Sequence, residues 1–295
     1  MTVDTSLRAG PAPRSVSIIV PAYNEVDSIA PSLDCIREIM DATSYEYEIL
    51  VIDDGSTDDT AARVGGPKVT LLRHTANKGY GAALKTGLRH AAYDVIAITD
   101  ADGTYPSEEI PRLLADLKDY DMVVGARVGE VVEISWLRRF PKWILRHLAS
   151  YLIKDEIPDL NSGLRVFRKD IAMQFYRLYP TGFSFTTTIT LAMMSNDYLV
   201  HFVPINYFKR VGNSKIRPIR DTLNFFALII RTIMYYRPLK IFGPVSLALL
   251  LAGLVRGCYN TVVHHNLTTV DLLLLLTGII IAAIGLLADL IDKRG

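Results

Sequence analysis

Asp100 and Asp102, separated by Ala101, follow the apolar run Val95 to Thr99. If that run is a strand, side-chain alternation points both carboxylates the same way at its exposed end. Two carboxylates beside a diphosphate repel it unless a cation intervenes. Mg²⁺ or Mn²⁺ suits such a place, because one or two carboxylates bind the ion while substrate phosphates fill other positions. A metal held there would neutralise a departing diphosphate as a Lewis acid. The bare tripeptide is equally a loop or capping pair. Its company weighs more: Pro21-Ala22-Tyr23-Asn24-Glu25 and Asp53-Asp54-Gly55-Ser56-Thr57-Asp58 end two earlier apolar runs.

In the second of these, Gly55 to Asp58 reads as a tight turn into a helix with Thr57 or Asp58 near its cap. Asp54 is then placed to accept hydrogen bonds from a base or ribose. Asn77-Lys78-Gly79-Tyr80-Gly81 opens the next helical pattern with small residues, letting the backbone approach a ligand closely.

The elements that must position these groups follow a regular rhythm. Strands are predicted at Val16 to Val20, Glu48 to Ile52, Val69 to Leu72, Val95 to Thr99 and Met122 to Val124. Val26 to Met40, Thr57 to Val64, Gly79 to Ala92 and Ser107 to Leu117 carry helical spacing between them. Parallel strands joined by crossover helices make an α/β, doubly wound, mostly parallel sheet with helices on both faces. Such sheets bind ligands beyond the carboxyl ends of the strands, where the acidic segments fall.

The rest of the chain differs in composition. Residues 1–14 form a polar tail containing Pro11 and Pro13, without the apolar core of a secretory signal, so the amino terminus is expected in the cytoplasm. Trp136 to Ile153 mixes two tryptophans and leucines with Arg138, Arg139, Lys142 and Arg146. It reads either as a basic amphipathic helix on a membrane or as a surface helix packed on the sheet. Residues 218–240 read as a juxtamembrane amphipathic helix. Two apolar stretches, about 241–263 and 270–290, are long enough to cross a bilayer. Lys and Arg flank the pair on the outside while 264–271 has none, which puts both ends, including the tail 291–295, in the cytoplasm. Arg256 interrupts the first stretch and is expected to snorkel to an interface or face a partner helix. Paired spans of this kind also make a homo-oligomer plausible.

The 295-residue chain is 50% hydrophobic and carries a formal charge of +1, which argues against a broad nucleic-acid surface. Its mean hydropathy of +0.23 is concentrated after about residue 222. Cys35 and Cys258 are too few and too far apart for a disulfide framework or a cysteine metal site.

Val20 to Glu25, Asp53 to Asp58, Asn77 to Gly81 and Thr99 to Tyr105, in this order, resemble the family 2 glycosyltransferases with the GT-A fold. The two carboxy-terminal spans make the chain most similar to the polyprenyl-phosphate group of that family, which includes dolichyl-phosphate mannosyltransferase and undecaprenyl-phosphate glucosyltransferase. The resemblance covers roughly Ser15 to Ile216 and implies a catalytic domain over 15–217. It implies donor binding at Pro21, Tyr23, Glu25, Ile52, Asp54, Lys78, Asp100, Ala101, Asp102, Arg210 and Ser214. Asp100 and Asp102 match the metal and diphosphate site, so Mg²⁺ or Mn²⁺ is the implied cofactor. Asp102, Asp159, Arg127 and Lys215 are the implied catalytic residues. Arg127 matches a basic residue near the phosphates, and Asp159 in Asp159 to Arg165 a base or acceptor-positioning group. Arg210 to Lys215 resembles a mobile loop that closes over the donor; a basic patch facing anionic lipid is a compatible reading. Relatives in which a polar amide follows the Asp-x-Asp element differ from this chain, which has Gly103 and Thr104 there.

The implied partners are a nucleotide sugar of GDP-mannose or UDP-glucose type, a dolichyl or undecaprenyl phosphate, and membrane lipid. An acceptor phosphate is already ionised near neutral pH, so positioning and charge neutralisation carry most of the reaction. A single displacement inverts the anomeric centre. Two other readings are a processive polysaccharide synthase and a non-catalytic membrane scaffold. The first would show a Gln-x-x-Arg-Trp element, whereas the nearest string is Gln174 to Leu178 and lacks the tryptophan. Intact acidic strand ends oppose the second.

Overall fold

The computed structural model describes residues 13–127, 157–182, 184–207, 234 and 238–292. The chain divides into two compact units, Met1–Phe225 and Phe226–Gly295.

Apolar residues fill both faces of β1 (Ser15–Ala22), because helices cover the sheet on each side. Ile18 and Ile19 point to opposite faces and are both fully buried. Around β1 lie β2 (Glu46–Asp53), β3 (Val69–Arg73) and β4 (Val95–Ile98), all parallel. The sheet continues with β5 (Met122–Arg127), β6 (Arg165–Arg168) and β7 (Val200–Ile205), giving seven strands in the order β3-β2-β1-β4-β6-β5-β7. Helix α1 (Ile29–Asp41) buries Ile29, Leu33, Ile36 and Met40, a stripe at three- and four-residue spacing. A short α2 (Thr60–Arg63), then α3 (Tyr80–His90) and α4 (Ile110–Asp116), complete the repeating part.

The first five strands lie where the sequence predicts them. Helix α2 starts three residues later than expected, because Asp58 accepts hydrogen bonds from the backbone and hydroxyl of Thr60 instead of capping a helix from Thr57.

The sequence reading has no counterpart for β6, α5 (Lys169–Gln174), α6 (Phe185–Ser195) and β7. Strand β6 runs antiparallel between β4 and β5. It begins at the edge of the sheet where β5 ends, so no crossover is needed. Four residues with arginine at each end carry too little alternation to announce a central strand. The consequence is functional: the segment entering β6 and the residues after β7 reach the same sheet edge as the acidic strand ends.

In the second unit, α7 (Leu239–His264) and α8 (Thr269–Asp292) are both long and apolar enough to cross a membrane. They pack against one another, with Ser246 Oγ donating to the Gly278 carbonyl at 2.8 Å. Arg256 meets the neighbouring helix: its Nε lies 2.9 Å from Asp271 Oδ1. Asp271 also accepts from Asn260 Nδ2, the Thr268 N–H and the Thr268 hydroxyl at 2.9, 2.9 and 2.7 Å. The reach from Asp271 back to Thr268 is one arm of a capping box at the start of α8. The expected helices at 136–153 and 218–240 fall outside the described residues, apart from Met234, Pro238, Leu239 and Lys240.

Candidate active site

The site begins with two turns tied together. Asn24 adopts a φ of 53°, its N–H donates to Ser56 Oγ at 2.9 Å, and its side-chain oxygen accepts from the Thr57 N–H at 2.8 Å. The Glu25 N–H donates to Thr60 Oγ1 at 2.8 Å. These bonds fix the Pro21 to Glu25 segment, with Tyr23 and Glu25 partly exposed, beside the end of β2. Ile52 and Ala101, two of the expected donor contacts, are 0% and 2% exposed, and their side chains belong to the core. Pro21, register partner of Ile52, is buried as well.

Asp53 and Asp54 are both buried, and both build loops. Asp53 accepts from the Ser56 N–H and Arg73 Nε, each at 3.0 Å. Asp54 Oδ2 accepts the Gly79 N–H at 2.8 Å, and its Oδ1 the Lys78 N–H at 2.9 Å. These amides stand at the start of α3, where Gly79 has no side chain to cap the helix, so a carboxylate from the neighbouring strand does it. His74 bridges Asp54 Oδ1 at 2.7 Å and Thr86 Oγ1 at 2.9 Å. Lys78 is exposed. The small residues of this loop admit the chain itself: a Cβ at Gly79 would lie 2.5 Å from the Thr181 carbonyl oxygen, and one at Gly81 2.2 Å from that of Pro180.

Strand β4 ends at Ile98, so Asp100 to Gly103 form a turn and strand alternation does not orient the carboxylates. Side-chain contacts do it instead. Asp100 Oδ1 accepts from the Tyr80 hydroxyl at 2.9 Å. A Cβ at Gly163 would lie 2.7 Å from Asp100 Oδ2. Asp102 Oδ1 accepts the Thr104 N–H at 3.1 Å and the Thr104 hydroxyl at 2.6 Å. Thr104, which follows the Asp-x-Asp element, therefore supplies a polar contact to Asp102. Burial, then the charge of Asp100, push the Tyr80 phenol well above its ordinary pKa, so it remains a donor.

Among the described residues no group of three or more His, Cys, Asp or Glu side chains is placed to hold a metal. A two-carboxylate donor set still fits Mg²⁺ or Mn²⁺, whose coordination is normally completed by water and substrate phosphates. Both Asp100 and Asp102 are partly exposed at the sheet edge, with hard oxygen donors.

Arg127, the last residue of β5, and Asp159, in the segment entering β6, form a bidentate pair: Nε to Oδ2 at 2.6 Å and Nη2 to Oδ1 at 2.8 Å. The Arg127 and Asn161 N–H groups also donate to Asp159, at 3.2 and 3.0 Å. Burial pushes the Asp159 carboxyl up, but the bonds from Arg127 outweigh it and hold it below the usual carboxylate range. Burial likewise works against the Arg127 charge, and Asp159 reverses that. Such a carboxylate is a poor proton acceptor and a firm orienting group for the guanidinium.

The Arg127 guanidinium lies 5.3 Å from the Tyr207 ring, which meets Tyr105 edge-on at 5.2 Å. The Tyr105 hydroxyl accepts the Gly163 N–H at 2.7 Å, and so the chain of contacts returns to Asp100. Beneath it, Arg165 is fully buried, donating to the carbonyls of Ser162 and Thr186 and to Thr190 Oγ1. Burial pushes the Arg165 pKa down to about 10.

The structure thus joins Asp100, Tyr80, Gly163, Tyr105, Tyr207, Arg127 and Asp159 at one sheet edge. Arg210, Ser214 and Lys215 lie outside the described residues. Sequence reading missed Tyr80, Tyr105, Tyr207, His74 and Arg165. Tyr80, Tyr105 and Arg165 stand within quoted motifs, and Tyr207 and His74 carry no local signal.

The family model for glycosyl transferase family 2 matches residues 17–175, and that for the GtrB C-terminal hairpin matches residues 237–293. The undecaprenyl-phosphate mannosyltransferase of Micrococcus luteus is 29% identical over 215 residues, covering 68% of this chain and 87% of the relative. The undecaprenyl-phosphate 4-deoxy-4-formamido-L-arabinose transferase of Pseudomonas fluorescens is 32% identical over 253 residues, covering 81% of this chain and 70% of the relative. Among solved structures, glucosyl-3-phosphoglycerate synthase of Mycobacterium tuberculosis, in complex with Mn²⁺, UDP-glucose and phosphoglyceric acid, superposes with a TM-score of 0.59. It is 18% identical, with 75% of this chain and 80% of that one covered, and shares the fold.

Proposed function

Because the chain belongs to glycosyl transferase family 2, we propose that it moves a hexose from a nucleotide diphosphate sugar, of GDP-mannose or UDP-glucose type, to a polyprenyl phosphate. The observation that carries this reading is the joining of a family 2 domain to two apolar helices that match the GtrB C-terminal hairpin. Relatives named for transfer to undecaprenyl phosphate support the same acceptor class. The distribution of Lys and Arg around the hairpin favours both termini in the cytoplasm.

The donor lies along the ends of β1, β2 and β4. Pro21, Tyr23 and Glu25 line the nucleotide end. Asp54 acts by holding the Lys78 to Gly79 loop in place. Asp100 and Asp102 hold Mg²⁺ or Mn²⁺, which supplies charge neutralisation for the diphosphate. Arg127, aimed by Asp159, adds a fixed positive charge near the phosphates, with Arg210, Ser214 and Lys215 contributing from the following segment. A phosphate oxygen of the lipid attacks the anomeric carbon as its bond to the diphosphate breaks, and the configuration inverts. That nucleophile is already an anion, so no side chain has to remove its proton. The lowered pKa of Asp159 agrees with an orienting role.

The test is transfer from radiolabelled nucleotide sugars with the purified protein, polyprenyl phosphate and Mn²⁺. A labelled glycolipid with inverted configuration is expected. Polymer would point to a processive synthase, and absence of product with every donor to a scaffold.

A further inference from the structure

The environment of Asp100 is asymmetric. Its Oδ1 takes the Tyr80 hydroxyl at 2.9 Å, and its Oδ2 lies where residue 163 has no side chain, 2.7 Å from the place a Cβ there would occupy. The tyrosine comes from the first turn of α3 and the glycine from the segment entering β6, so two separate elements close on the carboxylate. A hydroxyl that bonds one oxygen of a ligating carboxylate restricts its rotation and selects the oxygen it presents. Gly163 is itself fixed by its N–H bond to Tyr105.

We infer that Tyr80 is a positioning residue that sets the divalent-cation affinity of the Asp100–Asp102 turn by locking the Asp100 rotamer before the ion arrives. This rests on the proposed function for its metal site, but concerns a residue outside the proposed ligands. Tyr80→Phe removes one hydroxyl and keeps the ring, so the packing of α3 is retained. Outer-shell partners of this kind are worth roughly 10- to 100-fold in metal affinity.

The experiment is titration of the full-length protein in detergent with Mn²⁺ alone, followed by the electron paramagnetic resonance signal of free Mn²⁺. The native protein, Tyr80→Phe, Gly163→Ala and Asp100→Asn are compared, with thermal unfolding as a check on folding. Tyr80→Phe is expected to bind Mn²⁺ roughly tenfold more weakly than native, at an unchanged unfolding temperature. Gly163→Ala, which crowds the same carboxylate from its other side, is expected to weaken binding too, and carries the test should Tyr80→Phe not fold. Raising Mn²⁺ is expected to restore turnover of Tyr80→Phe; a purely structural loss would not respond. Native-like binding by Tyr80→Phe, with Asp100→Asn impaired, overturns the inference alone. Equal binding by native and Asp100→Asn, or binding by neither, overturns the inference together with the metal role of Asp100 and Asp102 in the proposed function.

Discussion

Two arginine–aspartate pairs in this chain look alike on paper and do different work. At the sheet edge, Asp159 is matched by both forks of Arg127, and an aromatic ring lies beside the guanidinium. In the helical hairpin, Asp271 receives Arg256 through Nε and three further donors from Asn260 and Thr268. The Arg256 side chain is 53% exposed and that of Arg127 31%. In the first pair the carboxylate serves the cation, fixing a guanidinium at the sheet edge beside Tyr207. In the second the cation is one of several supports for a carboxylate that begins α8. Context, set by which other donors reach the anion, decides whether an ion pair is part of a site or part of a scaffold.

The largest effect is expected at the first pair. Arg127→Met should lower kcat/KM for sugar transfer by roughly 10²- to 10³-fold, and leave Asp159 with one partner fewer at a cost of about 2 kcal/mol in stability. Steady-state transfer and thermal unfolding of the detergent-solubilised protein measure the two. A variant with native turnover would make Arg127 a scaffold residue like Arg256, and the contrast would fail.

The hairpin should give the reverse pattern. Asp271→Ala leaves four donor groups unmatched and is expected to lower the unfolding temperature by several degrees, while transfer per folded molecule stays within about twofold of native.

A pH series sharpens the comparison further. Asp159 has a lowered folded-state pKa, so its contribution to stability is complete above the unfolded value of about 3.9 and is lost as pH falls through the folded value. Asp159→Asn should therefore lose stability at neutral pH and show a shallower fall on acidification below pH ~4. The smallest change is expected for Arg256→Leu, about 0.6 kcal/mol or less, because Asp271 keeps its other donors. A double-mutant cycle of Arg256 and Asp271 checks that this coupling is weaker than that of Arg127 with Asp159.

The same contrast explains what was legible in the sequence. Elements built from repeated local patterns, β1 to β5 and α1 to α4, were readable because alternation and helical spacing run over enough residues. The hairpin was readable from its length and apolarity alone. Strand β6 was not, since its place is set by pairing with β4 and β5 and its four residues carry no period of their own. The site divides likewise. Asp100, Asp102, Arg127 and Asp159 all stand in motifs; Thr104 holds Asp102 locally, but what orients the other three comes from farther along the chain. Tyr80 meets Asp100 across 20 residues and Arg127 meets Asp159 across 32. Asp54 shows the opposite case: its motif suggested a ligand contact, and its carboxylate spends its visible hydrogen bonds on the loop that opens α3.

The most direct test of the account concerns the nucleophile. Purified protein with Mn²⁺ and labelled nucleotide sugar is offered a polyprenyl phosphate or the matching polyprenol, at equal concentration. Label is expected only in the phosphate-bearing lipid, because the proposed nucleophile is already an anion and Asp159, its pKa lowered by Arg127, is held as an orienting carboxylate. Comparable labelling of the polyprenol would contradict it.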